Sequence, residues 1–94
     1  MKLVVIAIIT AKEGYQENIN NGLAELIEPT LKEAGCINYD LHTDNENPLI
    51  FAFHETWESE DHLDRHLESD HIKAFQSTST DWIESVQMHR MTMH

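Results

Sequence analysis

The sequence predicts an α+β protein of the ferredoxin-like type, in which a split β-α-β chain builds a four-stranded antiparallel sheet with its helices on one face. Three observations predict it. The apolar segments run in the order strand, long helix, strand, strand, short helices, strand. A length of 94 residues leaves room for one hydrophobic core, so residues 1–94 are expected to form a single domain. Apolar residues at 40% and charged residues at 24% match a folded globular chain rather than a disordered or membrane-embedded one.

Residues 3–10, LVVIAIIT, form the first expected strand. Val4, Val5, Ile6, Ile8, Ile9 and Thr10 are β-branched, which stiffens them and suits a pleated backbone. The run does not alternate before Thr10, so it is expected to be central and buried on both faces. With Met1 and Lys2 it also has the length and polarity of a weak signal peptide, but its β-branched content favours the strand. Beyond Gly14, the residues Tyr15, Ile19, Leu23, Leu26, Ile27, Leu31 and Ala34 recur at helical spacing and give one apolar stripe. Pro29 lacks an amide donor and crowds the turn before it, which predicts a kink or restart there, and Gly35 predicts the stop.

CINYDLHTD (36–44) alternates Ile37, Tyr39 and Leu41 with Asn38, Asp40 and His42, as a strand with one buried face does. The polar residues Asn45, Glu46 and Asn47 with Pro48 then turn the chain into LIFAFHETW (49–57), predicting a hairpin. Ser59 and Ser69 each stand where a side-chain oxygen can accept from the first free amides of a helix. They predict short helices near 60–67 and 70–80. STST (77–80) has weak helix propensity, so the chain is expected to loosen there before Trp82 and Ile83 lead into a last strand near 84–93.

Six basic residues against seventeen acidic ones give a net charge of -11, which repels phosphate backbones and anionic lipid. Neither nucleic acid nor a membrane is an expected partner, and no apolar run reaches membrane-spanning length. Cys36 is alone, which rules out an internal disulfide and predicts a cytoplasmic protein. Helices on one sheet face leave the other wet, yet the strands are too apolar for that exposure; a homodimer is therefore predicted.

The segment HETWESEDHLDRHLESDH (54–71) concentrates the candidate chemistry, with four of the seven histidines and seven of the seventeen acids. Strand alternation puts Phe51, Phe53, Glu55 and Trp57 on one face. Glu55 either reaches water at the strand end or lies in a pocket, where a carboxylate needs a partner. His62 and His66 are four apart, on one side of a helix, and could in principle share a metal. The zinc-protease pattern needs Glu after the first histidine, and Leu63 stands there, so no metal site is expected. Leu63 and Leu67 mark the core-facing stripe, leaving His66 at its border and His62 toward solvent. His71 falls in the first turn of the next helix, where the positive helix end favours a neutral imidazole and Asp70 opposes that. Three glycines make no phosphate-binding loop, and Cys36 is expected to pack as a small apolar residue. Spacing does not exclude a Ser-His-Asp set, but no strained nucleophile turn is visible.

FHETWES followed by Leu63, His66, Ser69 and His71, together with EPTLKEAGCINYDL (28–41), resembles the antibiotic biosynthesis monooxygenase domain, especially its quinol-monooxygenase-like branch. The resemblance covers nearly the whole chain. It implies a dimeric α+β barrel with a pocket between sheet and helices in each subunit, oxidising a small quinol or phenol with O₂ and with no metal or flavin. It gives His71 or His66 the part of proton acceptor, Glu55 that of orienting the imidazole, and Trp57, Phe53 and Tyr39 that of an aromatic wall. The chemistry is coherent: O₂ reacts slowly with neutral closed-shell organics, whereas a deprotonated quinol can donate an electron, so a base and a pocket for the anion suffice.

The chain departs from some relatives. Polyketide-oxidising members carry Asn four residues before the tryptophan and Tyr six after it, where this sequence has Phe53 and Leu63. Haem-degrading members use an Asn in the first strand, and KLVVIAIITAK has none. Members that isomerise a phosphorylated sugar fit poorly with so acidic a chain. Since one scaffold hosts several activities, the alternatives are a ligand-binding or stress-related module without turnover, or an isomerase. Which histidine is the base depends on distances that spacing does not encode.

Overall fold

The computed structural model describes residues 2–94. In chain order the elements are β1 (Leu3–Ala11), α1 (Gln16–Glu25), α2 (Ile27–Leu31), β2 (Cys36–Thr43), β3 (Ile50–Trp57), α3 (Glu60–Leu67), α4 (Asp70–Thr78) and β4 (Ile83–Met91). The strands pair antiparallel in the order β2-β3-β1-β4, which is the ferredoxin-like sheet. No helix among the described residues is long and apolar enough to cross a membrane.

β1 is central, but it is sealed on one face only. Leu3, Val5, Ala7, Ile9 and Ala11 are buried, while Val4, Ile6, Ile8 and Thr10 between them are partly exposed. The cause lies above the sheet: the helices pack on the Val5 side, and the Ile6 side meets none of them. The core is therefore one layer thick, with Val5, Ile19, Leu23, Trp57 and Leu63 almost fully withdrawn from water. Burying each such side chain contributes about 1.5–3 kcal/mol.

The long helical stretch divides at Leu26, ahead of Pro29 rather than at it. A proline ring collides with the carbonyl four residues back, here that of Glu25, so the first helix ends at that residue. Pro29 then falls in the first turn of α2, where a missing amide hydrogen costs no bond. Gly35 closes the turn into β2 with φ 84°, and a Cβ there would run into the ring of His62. Only glycine meets both conditions. Its carbonyl accepts from the Glu58 amide at 2.9 Å, tying this turn to the end of β3.

The two serines ahead of the short helices differ. Ser59 accepts from the His62 amide at 3.3 Å and caps α3 as expected. Ser69 does not cap α4; its hydroxyl donates to the His66 carbonyl at 2.6 Å, where it satisfies the end of α3 instead. Nor does the chain loosen at STST, because Ser79 is fully buried and its amide donates to the Phe75 carbonyl at 2.8 Å. At the opposite margin, Val86 and Met88 lie across from Ile9 and Ala7 on the helix-covered side yet are 56% and 42% exposed. The helix layer leaves a gap over the β4 edge.

Candidate active site

That gap is a cavity of about 360 Å³ whose wall includes Tyr39, Phe53, Glu55, His66, Phe75 and Ser79. A few polar groups set in an apolar wall is the usual make-up of a small-molecule site.

Glu55 reaches this wall because β3 alternates, and it is 4% exposed. Its partner is the Trp57 indole, whose Nε1–H donates to Oε1 at 2.9 Å. Burial raises the Glu55 carboxyl from its ordinary 4.5 to about 7, against the Trp57 hydrogen bond, which favours the anion. Tyr39 stacks on Phe53 with ring centroids 4.2 Å apart, and burial together with the charge of Glu55 pushes its phenol well above the usual range. The phenol therefore stays neutral.

His66, three residues after Leu63 on α3, turns inward with it and is 2% exposed. Its Nδ1 lies 2.7 Å from Glu33 Oε2. A carboxylate oxygen can only accept, so the ring donates from Nδ1 and keeps Nε2 as its proton-accepting atom. Burial lowers the proton affinity of His66 from its ordinary value, although the bond to Glu33 works the other way. The same Oε2 stands 2.7 Å from His71 Nε2, which also lies 3.3 Å from both Thr30 Oγ1 and Ser69 Oγ. One carboxylate thus holds two imidazoles.

Three sequence-based assignments need correction. Glu55 does not orient an imidazole; its near oxygen is engaged by Trp57, and Glu33 holds both rings instead. Trp57 forms no part of the cavity wall. It is fully buried behind Glu55, with the His66 ring tilted on it at 4.7 Å. His71 borders a different cavity, of about 390 Å³, with Asn18, Gly22 and Trp82, while its Nε2 meets Thr30 and Glu33. Leu26 and Phe75 separate the two cavities and border both. Of the six residues singled out from sequence, Glu55, His66, Phe53 and Tyr39 meet at one cavity.

His62 is only partly exposed to water and does not pair with His66. Its Nδ1 is 2.7 Å from Ser59 Oγ, and the ring is half-buried against Gly35. Burial, with Glu33 and Glu55 nearby, pushes the Cys36 thiol up to about 11, so it is protonated and unreactive at neutral pH. Glu33, His66 and His71 offer donor atoms within 4.8 Å of one another and could hold a metal ion. Their 2.7 Å separations are those of hydrogen bonds, and a metal would have to displace both ring protons.

Glu33 escaped the sequence reading. Nothing in its spacing separates it from sixteen other acids. The available signal was topological: it stands three residues before Cys36, which pairs with Trp57 across β2 and β3.

The sequence profile of the family described as antibiotic biosynthesis monooxygenase matches residues 2–78. The Escherichia coli protein YgiN, described as a probable quinol monooxygenase, is 31% identical over 83 residues, which cover 78% of this chain and 80% of that protein. The Synechocystis protein sll1783 is 30% identical over 79 residues, 84% of this chain; the chain spans about half of it, 54%. The crystal structure of PA3566 from Pseudomonas aeruginosa superposes with a TM-score of 0.96 at 31% identity, covering 99% of this chain and 94% of that one.

Proposed function

The chain belongs to the antibiotic biosynthesis monooxygenase family, and from that premise we propose that it oxidises a small quinol or phenol with O₂, as a homodimer and without metal or flavin. The observation that supports this most is His66 on an aromatic-lined cavity, with its proton held on Nδ1 by Glu33 and its other nitrogen left to accept.

In this reading His66 Nε2 takes the substrate hydroxyl proton, and Glu33 stabilises the imidazolium that forms. The substrate anion gives one electron to O₂, the resulting radical pair joins as a ring peroxide, and the proton held on His66 returns to it to give the hydroperoxide. Loss of water leaves a hydroxylated quinone, so a dihydroxy ring and O₂ become a hydroxyquinone and H₂O. Glu55, raised to about 7, supplies the proton on which the departing oxygen leaves and regains one from the ring carbon whose hydrogen is lost as the O–O bond breaks. Tyr39 and Phe53 hold the ring, and Trp57 fixes the Glu55 carboxyl from behind. His71 acts through Glu33 as a positioning residue.

The test is oxygen consumption by chelator-treated protein offered a panel of reduced naphthoquinols. Uptake should exceed the spontaneous rate, and His66→Ala should lower it about 10²–10⁴-fold, the usual worth of a general base. Uptake that appears only when a metal is restored would overturn the cofactor-free reading. Binding without uptake would leave a ligand-binding module.

A further inference from the structure

The cavity carries its titrating groups at one end only. Sheet register sets Tyr39, Glu55 and Val5 in one row across β2, β3 and β1, and the His66 ring joins that row at 5.4 Å from the Tyr39 ring. Farther along β1 the wall is apolar: Phe53, Ala7 and Met88 in one row, Ile9 and Val86 in the next, and Ile83 across from Ala11. Among the described residues that wall the cavity, Glu55 and His66 are the only acid and the only base. The hydroxyls at the far end are engaged or withdrawn, since Thr80 Oγ1 donates to the Gln76 carbonyl at 3.0 Å and Ser79 is fully buried.

Length matters as much as polarity. Val5 to Ala11 is six residues of strand, about 20 Å. A fused ring lying beside Glu55 and His66 covers two of those residues, about 7 Å, and leaves about 13 Å of apolar trough beyond it. Val86 and Met88 keep that trough open along the β4 edge, where both are exposed. Apolar side chains that stay exposed in continuity with a buried cavity mark a ligand groove. A charged substituent would lie there without a partner, whereas a hydrocarbon one needs none.

We propose that the substrate ring carries a hydrocarbon tail: the ring lies at the Glu55 and His66 end, and the tail follows the trough over Ile9 to the β4 edge, against Val86, Met88 and Ile83. This rests on reading the polar end as the oxidase site, and it adds a recognition element that the ring chemistry does not require.

Binding measured under argon tests the tail without turnover. Quenching of tryptophan fluorescence is followed for para-dihydroxynaphthalenes that bear a methyl, butyl or octyl chain beside one hydroxyl. Affinity should rise about two- to fourfold per added methylene, the worth of removing that group from water, while the chain lies within the trough. Val86→Glu should flatten this dependence rather than weaken every ligand alike, because it sets a charge beside the chain. Met88→Glu makes the same test from the neighbouring row if the first variant does not fold. Affinity that ignores chain length, a dependence that persists in both variants, or no binding of any chain would overturn the proposal. Oxygen uptake with a flat chain dependence would remove the tail and keep the oxidase; a steep dependence lost in the variants, with no uptake for any chain, would remove the oxidase and keep the trough.

Discussion

Burial acts in opposite directions on the two titrating groups of the cavity, raising Glu55 to about 7 and lowering His66. For Glu55 the folded chain binds the proton more tightly than the unfolded one, whose carboxyl keeps the ordinary 4.5. Stability therefore falls as pH rises from 4.5 through about 7, by about 3 kcal/mol if the whole shift is expressed. His66 works the other way, since below 6.5 the unfolded chain gains a proton that the folded one resists. Comparison with Glu55→Gln isolates the acid: urea unfolding should find the variant more stable than the parent at pH 8 and little different at pH 4.5. A gap independent of pH would refute this. Catalysis by the proposed route needs His66 neutral and Glu55 protonated, so the rate should rise below pH 6.5 and decline above about 7. Glu33→Gln presents an amide that can turn its NH₂ toward Nδ1 and reverse the tautomer of His66. It should cost about 10²-fold or more in kcat with little change in KM.

At the scale of elements, the turn between α2 and β2 does two jobs. It brings Glu33 under the two imidazoles, and at Gly35 it passes close against His62 of α3. Gly35→Ala should be destabilising by at least about 1–3 kcal/mol, because the left-handed φ and the contact with His62 both oppose a Cβ. Thermal denaturation measures the loss. Gly14, with φ 91° and open space around it, should give a smaller loss from backbone strain alone. The contrast separates conformational strain from collision with a neighbouring helix.

For the whole molecule, the face bearing Val4, Ile6 and Ile8 determines the proposed assembly. Its centre is aliphatic, and His54 and Gln87 lie beside Ile6 and Ile8 on the same side. An apolar centre with a polar rim is the composition of a subunit interface. Light scattering at micromolar concentration should give twice the chain mass, and Ile6→Glu should give a monomer. A parent protein that is monomeric there would remove the dimer from the proposal.

Strand positions, the helix beginning at Glu60 and the inward side of β3 were legible in the sequence, because each follows from local periodicity. The inward placement of Glu55 and Phe53 needs only the alternation of a strand; that of His66 needs only its helical spacing from Leu63. Other features were decided by contacts between distant segments. Glu33 lies 33 and 38 positions from the rings it holds, and one carboxylate among seventeen acquires that role only when the turn before β2 folds beneath α3 and α4. Trp57 left the cavity wall, His71 took a different cavity and Ser79 kept a free hydroxyl for the same reason. Periodicity selects the face on which a side chain lies, whereas its partner is chosen by the packing of elements that meet only in the folded chain.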